Sequence, residues 1–113
     1  MVPDKNLIWV GSSRADLSEQ PAEARRLLGF ELREVQHGRA PSDWKPMSSV
    51  GAGVVEIRVQ TEDGAFRLMY IAKFAEAIYV LHTFQKKSRK TSALDLELAR
   101  SRYALVRRQR REK

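Results

Sequence analysis

The chain has 113 residues, a net charge of +7 and no cysteine, and its apolar content is close to the ordinary globular value, which suits one domain, 1–113, with a single modest core. The absence of cysteine excludes disulfides and thiolate metal sites; no apolar run approaches the roughly 20 residues that span a bilayer, and no secretory pattern opens the chain, so a soluble cytoplasmic protein is expected. Positive charge is concentrated late, with 11 Lys/Arg against 3 Asp/Glu from Lys86 to Lys113 and 10 against 11 before that, a distribution that favours a polyanionic partner or, equally, a solvated helix face or an acidic protein. After the short apolar run Leu7 to Val10, the segment Asp16 to Gly38 reads as one helix. Ser18 is its candidate N-cap, Glu19 and Glu23 sit near the positive dipole end, Pro21 is tolerable in the first turn, and Gly38 supplies the stop. Ala24, Leu28, Leu32 and Val35 recur at helical spacing and predict a buried face.

From Arg39 to Gly53 two prolines and two glycines predict a long loop, with Trp44 and Met47 as anchors. Three strands follow. Val54 to Gln60 alternates apolar and polar residues, and Thr61-Glu-Asp-Gly64 is a hairpin turn leading into Ala65 to Lys73. A turn near Phe74 to Ala77 leads to Ile78 to Phe84, whose β-branched and aromatic content suits the middle of a sheet. A last helix is expected after Thr91 or Ser92, with Asp95 forming a capping-box-like pair and Leu94, Leu98 and Leu105 near one stripe. The arginine-rich end, 107–113, is expected to fray. The fold class is therefore α+β: an N-terminal helix, a three-stranded antiparallel meander and a C-terminal helix.

The most informative residues lie on these strands. Gly53-Val-Val-Glu-Ile-Arg58, Phe66-Arg-Leu-Met-Tyr70 and Val80-Leu-His-Thr-Phe-Gln-Lys-Lys87, followed by Lys90-Thr91, together resemble the phage-derived, HigB-like branch of the RelE/ParE toxin superfamily. Gly29 to Gly38 and Asp43-Trp-Lys-Pro46 are similar to that branch as well, so the resemblance runs from about Pro21 to Tyr103. It implies a toxin that cleaves messenger RNA, usually on the ribosome, and that a cognate helix-turn-helix (HigA-like) antitoxin holds inactive. In such chemistry the ribose 2′-hydroxyl attacks the adjacent phosphate while basic side chains orient the phosphate, stabilise its developing charge and move protons. No metal or other cofactor is expected, since two histidines without cysteine or a tight carboxylate cluster make a poor metal site.

Arg67, amid apolar neighbours on a central strand, is the leading candidate as a phosphate clamp, with a salt bridge to Glu56 as the competing role. Arg58 is a second phosphate or scaffold contact, unless it pairs with Glu62 or Glu76. Lys86 and Lys87 leave the third strand where the resemblance implies active-site basic residues. His82 is either a proton shuttle or a core histidine satisfied by one hydrogen bond. Tyr70, Phe84 and Lys90 are candidate substrate-binding residues; Tyr70 has the opposite strand parity to Arg67, so the two share a site only if a bulge or a strand end intervenes. Tyr103 has the spacing of a packing residue. Two further readings compete: a ParE-like gyrase poison without nuclease chemistry, and a plain RNA-binding module.

Overall fold

A computed structural model describes residues 4–111. Its elements are β1 (Asn6–Trp9), α1 (Ser13–Ser18), α2 (Ala22–Gln36), β2 (Trp44–Pro46), β3 (Val54–Thr61), β4 (Gly64–Ile71), β5 (Ala77–Lys86) and α3 (Ala93–Arg111). The expected meander β3–β4–β5 is present, but it is the middle of a five-stranded mixed sheet ordered β1-β5-β4-β3-β2. β1 lies parallel to β5, and β2 adds to the other edge antiparallel to β3. The stretch read as a long loop thus contributes an edge strand, because Trp44–Pro46 finds backbone partners on β3, where an edge position tolerates its final proline.

The single N-terminal helix is a second correction. Ser18 ends α1, its hydroxyl donating to the Ala15 carbonyl at 2.8 Å, and α2 starts anew with Pro21 at its N-cap, φ −54° and ψ 150°. A proline disfavours helical geometry at the residue before it, so Gln20 breaks the run. The predicted face of α2 does pack: Ala24, Leu28, Leu32 and Val35 are buried against Ile57, Phe66, Leu68, Tyr70, Ile78 and Val80 on one side of the sheet.

On the other side α3 covers Met69, Ile71, Tyr79 and Leu81. Ser92 caps this helix, accepting the Asp95 amide at 3.1 Å. The buried stripe is Ala99, Tyr103 and Val106, with Leu96 and Leu105 beside it, whereas Leu94 is 66% exposed and does not belong to it. Between β4 and β5 the register slips by one: Met69 faces His82 and Tyr70 faces Val80, leaving Leu81 as an extra residue. This bulge turns both Leu81 and His82 toward α3 and sets the phase of every later residue of β5. Among the described residues no helix is long and apolar enough to cross a membrane.

Candidate functional site

Hairpin register decides which charges meet. Arg58 stands directly opposite Arg67, Arg67 opposite Phe84, and Glu56 opposite both Met69 and, on β2, Lys45. Ala65 is opposite Lys86. Cross-strand partners share a face, so Lys45, Glu56, Arg58, Arg67, Phe84 and Lys86 all point to the side that carries α3, at the end of the sheet where α3 begins. A hollow of about 190 Å³ continues the surface, lined by Phe84, Lys86, Lys87, Lys90, Ser92 and Asp95. The structure therefore brings together Arg58, Arg67, Phe84, Lys86, Lys87 and Lys90.

The floor of this cleft is an incompletely paired charge cluster. Arg67 Nε lies 3.6 Å from Glu56 Oε1, with the two side chains only 9% and 1% exposed. The pairing foreseen as the competing role for Arg67 thus exists, but the separation is too long for a hydrogen bond. Glu56 Oε2, Arg67 Nε and Arg58 Nε are buried without hydrogen-bond partners. Arg67 Nη1 donates to the Phe66 carbonyl at 3.0 Å. Arg58 makes no ion pair among the described residues: Glu76, one of its expected partners, is taken by Arg110, and Glu62 pairs with nothing. Burial raises the Glu56 pKa in spite of Arg67, Lys45, Lys86 and Arg58 around it. Burial lowers that of Arg67, with Glu56 opposing, and burial followed by the nearby Arg67 charge lowers that of Lys86.

His82 is on the same side but bolts the sheet to α3. Its Nε2 is 2.7 Å from Asp95 Oδ1, its ring stacks on Phe84 at 4.9 Å and 17°, and Arg102 Nη1 approaches its Nδ1 at 3.4 Å. An arginine can only donate, so Nδ1 is placed as the acceptor toward Arg102 and Nε2 as the donor toward Asp95. At 4% exposure His82 is buried beneath α3, and its ring nitrogens are turned to Asp95 and Arg102.

Tyr70 is separated from the cluster. The bulge lies on β5 and leaves the parity of β4 intact, so Arg67 faces α3 while Tyr70 is buried on the α2 side. There it lines a more apolar hollow of about 420 Å³ with Val35, Trp44 and Val55, and burial pushes its phenol up to about 12. Strand alternation excludes it from direct contact with anything held by Arg67. Lys45, by contrast, joins the cluster without having been foreseen. Alternation through Trp44-Lys-Pro46 was the available signal, masked by the two prolines that made the stretch read as loop.

The family described as phage derived protein Gp49-like (DUF891) matches residues 15–104, a span that contains every residue of the cleft. No curated protein matches the chain.

Proposed function

The chain belongs to the Gp49-like family of phage-derived proteins, and on that membership together with the cationic cleft we propose that it is the toxin of a HigB-like toxin–antitoxin pair, a metal-independent endoribonuclease acting on messenger RNA at the ribosome. The observation that carries this reading is the juxtaposition of Arg58 and Arg67 at directly opposed positions of β3 and β4, with buried, unpaired Nε groups. Like charges directly opposite on a sheet destabilise it, and a phosphate between them converts that cost into two charge-assisted contacts.

In the proposed reaction the ribose 2′-hydroxyl gives up its proton to water, its oxygen forms a bond to phosphorus, the bond to the 5′-oxygen breaks and the leaving oxygen takes up a proton, which leaves a 2′,3′-cyclic phosphate and a 5′-hydroxyl. Arg58 and Arg67 hold the nonbridging oxygens and stabilise the charge that develops on them. Lys86, whose lowered pKa makes its ammonium a stronger acid than an ordinary lysine, gives the proton to the leaving oxygen. Lys45, Lys87 and Lys90 neutralise flanking phosphates, and Phe84 offers an apolar wall to a base or ribose. The inhibitory partner is a helix-turn-helix antitoxin, and the site of action is the cytoplasm.

Inducible expression of the wild-type chain, Arg67→Gln and Lys86→Met in a bacterial host, with mapping of messenger RNA 5′ ends and thermal melts showing that each purified variant is folded at the growth temperature, tests this. New ends within translated frames for the wild type, lost in both variants, support the reading. Growth arrest without new ends overturns it in favour of a gyrase-directed toxin; RNA binding with neither arrest nor new ends reduces the protein to a binding module.

A further inference from the structure

A second cationic pocket lies at the far end of α3. It encloses about 450 Å³ among Lys73, Phe74, Tyr103, Arg107, Arg110 and Arg111. Its aromatic rings are already engaged: Arg110 lies 3.6 Å from the Phe74 centroid, Lys73 5.3 Å from the same centroid, and Arg107 6.0 Å from that of Tyr103. Arg110 also pairs with Glu76. Lys73, Arg107 and Arg111 have no carboxylate partner among the described residues.

Part of this charge offsets the negative end of the α3 dipole. That explanation does not reach Lys73, which sits in the turn between β4 and β5. The turn is held in place by Lys5, whose ammonium donates to the carbonyls of Ala72 and Phe74. The opposite wall is equally fixed. Tyr103 lies against Gly51, where a Cβ would come within 2.4 Å of its ring, and its hydroxyl donates to the Ala52 carbonyl at 3.1 Å. The Lys73 stem packs over Gly53, where a Cβ would come within 2.7 Å of Lys73 Cδ. Two glycines thus admit the two side chains that shape the pocket, and the chain keeps free cations around it.

We infer that this pocket is a second RNA-backbone site, which holds a phosphate of the same RNA-containing target remote from the cleft and contributes to binding but not to chemistry. Asp95, at the cleft, and Arg107 are 12 residues apart on α3, about 18 Å along the helix axis. The two sites therefore engage different phosphates. Because cations occupy the ring faces, the pocket recognises phosphate charge and not bases. The inference extends the nuclease reading, but its test does not depend on cleavage.

Binding of fluorescent 2′-O-methyl RNA, which lacks the attacking hydroxyl, is measured for the wild type, Lys73→Gln/Arg107→Gln and Arg67→Gln, with oligonucleotides of roughly 20 and roughly 4 nucleotides. Both Lys73 and Arg107 are exposed, and thermal melts confirm that the double variant matches the wild type and that Arg67→Gln, although less stable, is folded at the assay temperature. For the longer RNA the double variant should bind on the order of tenfold more weakly near 0.1 M salt, and the slope of log K against log salt should fall by about 0.7, the share of one phosphate on a single strand. The shorter RNA, which the cleft alone can hold, should bind the wild type and the double variant equally. An unchanged slope with the longer RNA overturns the inference, as does a double variant that binds RNA normally but loses affinity for polyglutamate, the signature of an acidic protein partner. If only Arg67→Gln weakens RNA binding, this inference falls and the nuclease reading stands; if only the double variant does, the reverse holds.

Discussion

Replacing Arg67 by Gln should destabilise the protein strongly in the native background and weakly when Glu56 is also Gln. At 3.6 Å and an effective dielectric constant of about 20, the gross attraction between the two charges is about 5 kcal/mol. The absence of a hydrogen bond between them and repulsion of Arg67 by Arg58 reduce this, and a net coupling of about 2 kcal/mol is expected. Arg67→Gln alone leaves a 1% exposed carboxylate without its nearest cation, whereas Glu56→Gln removes the charge that burial disfavours. A double-mutant cycle by urea denaturation at neutral pH measures the coupling. The pH dependence has a definite sign. Because the Glu56 pKa is raised in the folded state, the stability linked to its protonated form is fully present below the ordinary carboxylate range and is lost as pH rises through the raised value. Any stabilisation by Glu56→Gln should therefore be largest at neutral pH and shrink on acidification. A coupling below about 0.5 kcal/mol, or a stabilisation that grows as pH falls, would refute the account of Glu56 as a buried charge restrained by Arg67.

Other consequences can be checked on the same protein. His82→Ala removes the ring between Phe84, Asp95 and Arg102 and should cost about 2–4 kcal/mol in chemical denaturation. Gly51→Ala drives a methyl group into the Tyr103 ring and should cost about 1–3 kcal/mol in the same assay. Tyr70→Phe should leave the proposed messenger RNA cleavage unchanged, because the phenol lies across the sheet from Arg67. Ultraviolet titration of the wild type against this variant should assign Tyr70 an ionisation near the upper limit of the alkaline range, about 12.

Much of the site could be read from residue alternation and a single turn. Once Asp63-Gly64 closes the hairpin, strand parity carries Glu56, Arg58 and Arg67 to one face. The α2 face was equally visible in the spacing of Ala24, Leu28, Leu32 and Val35. What escaped depended on partners distant in the chain. β1 is four residues long and is defined by a parallel neighbour some 70 residues later, and β2 is three residues ending on a proline. Neither has enough local pattern to be distinguished from irregular chain. On α3 the large Leu94 drew attention, but it is solvent-facing just past the cap, and the helix approaches the sheet through the small Ala99. The place of His82 was set by α3 and the bulge, neither of which strand alternation reports.

The extra residue at Leu81 also has a meaning for how this chain can vary. Upstream of it, odd-numbered residues of β5 face α3; downstream, even-numbered residues do. Deleting Leu81 would restore a regular ladder and leave every later residue on its present side, because Val80 faces α2 and His82, then its direct neighbour, faces α3. Deleting Thr83 instead, with the bulge kept, would turn Phe84 and Lys86 toward α2 and bring Gln85 into the cleft. The same one-codon loss is thus neutral for the phase of the cleft at one position and reverses it two positions later. Relatives of this chain should consequently vary in the length of β5 at the bulge and not beyond it.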